Sequence, residues 1–167
     1  MSEASPRTRT VSWQDPAIAI AGVDGRTGLA FLRAIVAGDL PQAPISATLD
    51  FALVAADDGA VRFAGTPGES QYNPMGTVHG GWAATLLDSA MGAAVMSTLD
   101  ATQAYTTAQL SVHLVRPITA ATGEVVAEGR VVNRGSRLAT AEATLEDGAG
   151  RLLAHGTTTC AIVPRRA

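Results

Sequence analysis

The chain has a single cysteine, Cys160, among 167 residues. One thiol excludes an intramolecular disulfide and every cysteine-rich zinc centre, and it fits a reducing cytoplasm. Aromatic residues reach only 4% and charged residues only 16%. Lysine plus arginine, 12, falls below aspartate plus glutamate, 15, so there is no overall basic field to attract a phosphate backbone. Nucleic acid is therefore not an expected partner. Long apolar runs are missing too, with one stretch to weigh: residues 80–99, GGWAATLLDSAMGAAVMSTL, match the ~20 residues a bilayer needs. Asp88 sits near its middle, where a carboxylate costs roughly 2.5–3.5 kcal/mol on insertion scales, and glycine and alanine stand where a span carries leucine. The stretch reads as a helix buried in protein, with no membrane partner. Arg7 and Arg9 are followed by no apolar signal-peptide core, so the expected location is cytoplasmic.

What is present is a 47% apolar composition in a length suited to one domain. Residues 1–23 show no period and read as a loose tail. Asp24 can cap a helix whose Leu29, Leu32, Ile35 and Val36 form an apolar stripe ending at Gly38, and Pro41 and Pro44 then turn the chain. Thr48–Val54 and Ala60–Gly65 flank Asp57-Asp58-Gly59 as a hairpin, and Thr66–Val78 is a loop rich in turn formers. After the small-residue helix come four strand segments, Ala104–Val115, Gly123–Asn133, Arg137–Leu145 and Leu152–Val163, which predict a meander. In the second, Val125, Ala127, Gly129 and Val131 form a small apolar face opposite Glu124, Glu128 and Arg130. The expected class is α+β: an antiparallel sheet of about six strands wrapped around one central helix.

Chemistry concentrates where the loop enters that helix, at Asn73-Pro74-Met75-Gly76-Thr77-Val78-His79-Gly80-Gly81. A helix N-terminus presents unpaired N–H groups at a positive dipole end, and glycine lets a substrate oxygen come close. Two turns inside stands Asp88, the one charged residue between His79 and Asp100. A buried carboxylate is either employed or held by neighbours such as the Thr85 or Ser89 hydroxyls, and spacing alone leaves both readings open.

GTVHGGWAATLLDSAMG resembles the hotdog-fold acyl-CoA thioesterases of the phenylacetate-degradation (PaaI-like) type, as do Thr106–Val112 leading to Val115-Arg116-Pro117, and Gly123-Glu124-Val125 with Gly135-Ser136-Arg137. The resemblance spans residues 46–163, leaving 1–45 as a tail with a short helix and 164–167 as a C-terminal tail. It implies hydrolysis of an acyl-CoA thioester, with a small, medium or aromatic acyl group, at a dimer interface and without a cofactor. Carried over by position, Asp88 matches the catalytic nucleophile or base, and Gly80 the donor to the thioester carbonyl. Asn73 matches the polar loop residue, Thr107 the strand hydroxyl facing the acid, and His79 the HGG histidine. Gly81, Trp82, Met75, Arg134 and Arg137 are candidate substrate contacts, the arginines for CoA phosphates.

Gly80 and Asp88 are eight positions apart, ~12 Å along a helix. Two groups that must meet one carbonyl across that span point to two chains, hence a homodimer, doubled to a tetramer as in the family. His79, His113 and His155 occupy separate segments without ligand spacing, so no metal is expected. The competing readings are a non-catalytic acyl-CoA-binding protein on this fold and a hotdog hydratase or dehydratase. The second lacks an Asp-x-Asn-Pro-x-His loop.

Overall fold

A computed structural model describes residues 5–165. Its centre is α4 (Gly80–Ser97), on which Leu86, Leu87, Ala90, Met91, Ala94 and Val95 are all fully buried. A helix buried nearly all round has no amphipathic stripe, which is why its sequence could pass for a membrane span. No helix among the described residues is long and apolar enough to cross a membrane.

Six antiparallel strands wrap this helix: β1 (Phe51–Asp57), β2 (Ala60–Gly65), β3 (Gln103–Leu114), β4 (Val125–Arg134), β5 (Leu138–Asp147) and β6 (Leu152–Pro164), in the order β1-β2-β4-β5-β6-β3. The small apolar face read from β4 meets the helix, and Ala127, Ala139, Ala141, Ala143 and Ala154 are buried with it. Contact is so close that a Cβ at Gly129 would lie 2.3 Å from the Ala90 carbonyl oxygen. The sheet can therefore curl tightly around α4 only because its inner face is made of alanine and glycine.

The expected meander needs correction. β4, β5 and β6 follow one another as neighbours, but β3 pairs with β6 at the far edge, so residues 115–124 cross from one side of the sheet to the other. A short 3-10 turn at Ala120–Thr122 interrupts that crossover. It is anchored to the loop before α4 by Val78 N donating to Ile118 O at 2.8 Å and Ala120 N to the Tyr72 hydroxyl at 2.9 Å. One consequence is that β3 offers a twelve-residue edge with no partner strand among the described residues.

The N-terminal segment also differs from a loose tail. It forms α1 (Pro16–Gly22), α2 (Gly28–Ala37) and α3 (Pro44–Leu49). Thr27, rather than Asp24, caps α2, its hydroxyl accepting from Ala30 N at 3.3 Å, and Gly38 ends it in the left-handed conformation at φ 84°. Pro44 starts α3 instead of breaking the chain, because proline costs nothing at the first helical position. Gly28 N donates to Leu99 O at 2.9 Å, docking α2 onto the end of α4. Parts of both expected tails, residues 1–4 and 166–167, lie outside the described residues.

Candidate active site

The loop into α4 is shaped by Asn73. Its Oδ1 accepts from Met75 N at 2.8 Å and Thr77 N at 3.3 Å, and its Nδ2 donates to the Thr77 hydroxyl at 3.0 Å. The side chain is thus engaged within its own turn, with Gly76 supplying φ 81°. His79 is the N-cap of α4: its Nδ1 accepts from Gly81 N at 2.9 Å, and its own N–H donates to Gln71 O at 2.8 Å. The Gly81 N–H is spent on that cap. Gly80, the first helical residue, keeps an N–H with no intrahelical acceptor. A Cβ there would stand 2.5 Å from Leu114 Cδ1, the far end of an exposed side chain that would have to shift. Asn73, His79, Gly80, Leu114 and Arg116 line a pocket of about 280 Å³ at this terminus.

Asp88 is not in that pocket. Two turns farther along α4, half-buried, it faces β3, where the Thr107 hydroxyl donates to its Oδ1 at 3.1 Å. Of the two neighbours proposed from spacing, Thr85 is otherwise employed, its hydroxyl donating to Gly81 O at 2.8 Å. The register of β3 against β6 shifts between Thr107 and Gln109, a bulge at the residue that meets the carboxylate. Bulges recur beside active sites because they re-aim a side chain.

Among the expected substrate contacts, Trp82 is 3% exposed and its Nε1 donates to Leu49 O at 2.7 Å, pinning α3 to α4. Met75 is 86% exposed at the loop tip. Arg134 donates to Gln103 Oε1 at 2.6 Å, near the C-terminal end of α4, and Arg137 is exposed beside it. Within one chain neither arginine shares the Gly80 pocket. His113 and His155, on separate segments in sequence, are opposite each other on β3 and β6 with rings 4.8 Å apart, while His79 stays at the helix cap. The sequence reading missed Tyr105, which lies beside Asp88 on the inner side of β3. Burial pushes its phenol pKa up, with smaller contributions from Cys160 and Asp88.

Residues 75–154, which hold both Gly80 and Asp88, match the family model described as the thioesterase superfamily. That stretch, just under half of the chain, is similar to the thioesterase superfamily. Among solved structures, a phenylacetic acid degradation-related protein of Ralstonia eutropha superposes on the domain with TM-score 0.70 and 26% identity, over 78% of this chain and 98% of that one. The PaaI protein of the E. coli phenylacetic acid degradation operon gives TM-score 0.70 at 17% identity, over 82% and 95%. A Streptococcus mutans protein bound to acetyl-CoA gives 0.63 at 24%, over 71% and 92%. No curated protein matches the chain in sequence. The hotdog fold expected for this domain is the fold observed.

Proposed function

We propose that this protein hydrolyses acyl-CoA thioesters, with Asp88 of one protomer and Gly80 of its partner acting on the same carbonyl group. The observation that carries the reading is the separation of two reactive elements on one helix: a carboxylate engaged by Thr107, and a free N–H at the helix start in a different pocket. The bare β3 edge supports a second chain. Leu110 is 38% exposed there, and Leu114 and Val115 at its end are 58% and 46% exposed. Antiparallel pairing of two such edges would make one continuous sheet and set the two α4 helices in opposite directions. Each Asp88 would then face its partner's Gly80, and the end carrying Arg134 and Arg137 would lie near the other protomer's helix start, where CoA phosphates could reach them.

In this arrangement the partner's Gly80 N–H polarises the thioester carbonyl and holds the developing oxyanion. Asp88 either takes a proton from the attacking water or attacks the carbonyl itself, and water then releases the acid. Both routes convert thioester and water into carboxylic acid and CoA thiol. Asn73 and His79 act by positioning the loop and helix start. The acetyl-CoA held by the Streptococcus mutans relative supports a CoA thioester as substrate. A single thiol buried in the core, Cys160, suits a cytoplasmic enzyme.

Thiol release from short, medium, long and aryl acyl-CoAs, compared between the native protein and Asp88→Asn, tests the reading. Turnover that collapses in the variant supports it. Tight acyl-CoA binding with no turnover by the native protein would favour the non-catalytic binding protein.

A further inference from the structure

Two apolar cavities border α4 beyond Asp88. The inner cavity, about 200 Å³, begins at Ser89, next to Asp88, and runs under α2 and α3 between Phe31, Ile35, Phe51 and Ala93. The outer one, about 700 Å³, lies between α1 and the end of α4, against Ile20, Leu99 and Ala104. Met96 and Tyr105 line both.

Tyr105 is placed there by the matched geometry of α4 and β3. Gly92 lies one helical turn, ~6 Å, beyond Asp88, and Tyr105 lies two residues before Thr107, on the same side of the strand. So the Asp88–Thr107 pair is followed, one step along the groove, by a Gly92–Tyr105 pair. A Cβ at Gly92 would lie 2.6 Å from the Tyr105 hydroxyl and 3.0 Å from its Cε2, so the ring lies against the helix only because residue 92 has no side chain. The hydroxyl has no hydrogen-bond partner among the described residues.

Resting on the thioesterase reading above, we propose that Tyr105 sets acyl length: its ring closes the inner cavity against the outer one, so the site takes compact acyl groups and rejects long chains. A cavity of about 150 Å³ holds a benzene ring. The inner cavity, at about 200 Å³, suits an acyl group of slightly greater bulk, either a ring or a short aliphatic chain. A long chain must enter the outer cavity, and the Tyr105 ring stands across that route. Tyr105 lies within the residues that match the superfamily, whereas the outer wall, α1, lies outside them.

The test measures kcat/KM for acetyl-, hexanoyl- and palmitoyl-CoA in the native protein, Tyr105→Ala and Tyr105→Phe. The native protein is expected to favour hexanoyl over palmitoyl by about tenfold or more, the scale on which apolar pockets discriminate. Tyr105→Ala joins the cavities and raises the palmitoyl-to-hexanoyl ratio about tenfold, whereas Tyr105→Phe keeps the ring and the native ratio. An unchanged ratio in Tyr105→Ala, or a native preference for palmitoyl, overturns the proposal. If Tyr105→Ala does not fold, Ala93→Leu decides: filling the inner cavity should lower hexanoyl relative to acetyl by about tenfold, and no change there also overturns it. The same acyl-CoAs are titrated calorimetrically into Asp88→Asn with and without Tyr105→Ala. If the native protein hydrolyses nothing, the hydrolytic reading fails, while the order of affinities by chain length still upholds or overturns the role of Tyr105.

Discussion

The Thr107 hydroxyl donates to Asp88 Oδ1 at 3.1 Å across the seam between α4 and β3. The bond leaves Oδ2 free for water or substrate while fixing the direction in which the carboxylate points. Asp88→Asn keeps the shape and removes the base or nucleophile, so kcat/KM for the best thioester should fall by about 10²–10⁴. Thr107→Val deletes one hydrogen bond to a charged group and should cost about tenfold, mostly in kcat. Thiol-release kinetics measure both, and equal losses in the two variants would mean that Thr107 does more than orient the acid.

Trp82 carries a structural prediction. Its indole N–H satisfies the Leu49 carbonyl at the end of α3, so Trp82→Phe leaves that oxygen unpaired and should lower stability by about 1–3 kcal/mol. Trp82→Ala also empties a large buried volume and should cost about 3–5 kcal/mol. Urea unfolding separates the two. A Trp82→Phe variant that unfolds at the native midpoint would show that the hydrogen bond contributes nothing net.

How far the sequence revealed this molecule follows from the range of each signal. The four late strands appear within one or two residues of their predicted bounds, because alternation and turn residues are local. The position of β3 beside β6 was not legible, since no local pattern records which edge a crossover reaches. Asp88 and Thr107 could be paired only through the resemblance, because their 19-residue separation has no period. The anchoring of Trp82 was not legible, because its partner is a backbone carbonyl 33 residues away. Tyr105 gave no signal at all: its place depends on the absence of a side chain at Gly92, on another element.

The turn between β5 and β6 predicts a pH dependence. Asp147 Oδ1 accepts from Ala149 N and Arg151 N, each at 3.0 Å, and Oδ2 from Arg151 Nε at 2.7 Å. The Arg151 side chain, then its backbone N–H, holds the carboxyl below the usual aspartate range. A folded-state value below the unfolded ~3.9 contributes stability that is complete above about pH 4 and lost as pH falls through the lowered value. Guanidinium unfolding of native protein and Asp147→Asn should give a stability gap that is equal at pH 7 and pH 5 and narrows towards pH 3. A gap that widens on acidification would reverse the sign of the argument.

The two-chain site is tested by mixing variants that are each inactive. Gly80→Pro suits this purpose because Gly80 is the first residue of α4, where proline is tolerated and the lost N–H has no helical acceptor. His79, at φ −61° and ψ 134°, already has the extended backbone that precedes proline. The variant should therefore fold with the donor removed, apart from a shift of the Leu114 side chain that now lies over the position. Asp88→Asn keeps the donor and lacks the acid. If the site takes Asp88 from one protomer and Gly80 from the other, a heterodimer of the two variants has one site with both defects and one with neither. Refolding an equal mixture should then restore about a quarter of native activity, since half of randomly paired dimers carry one intact site of two. If both residues come from the same chain, no pairing can assemble an intact site, and the mixture stays as inactive as its components. Sedimentation of the mixture, run alongside, confirms that dimers formed, so that inactivity would count against the shared site and not against assembly.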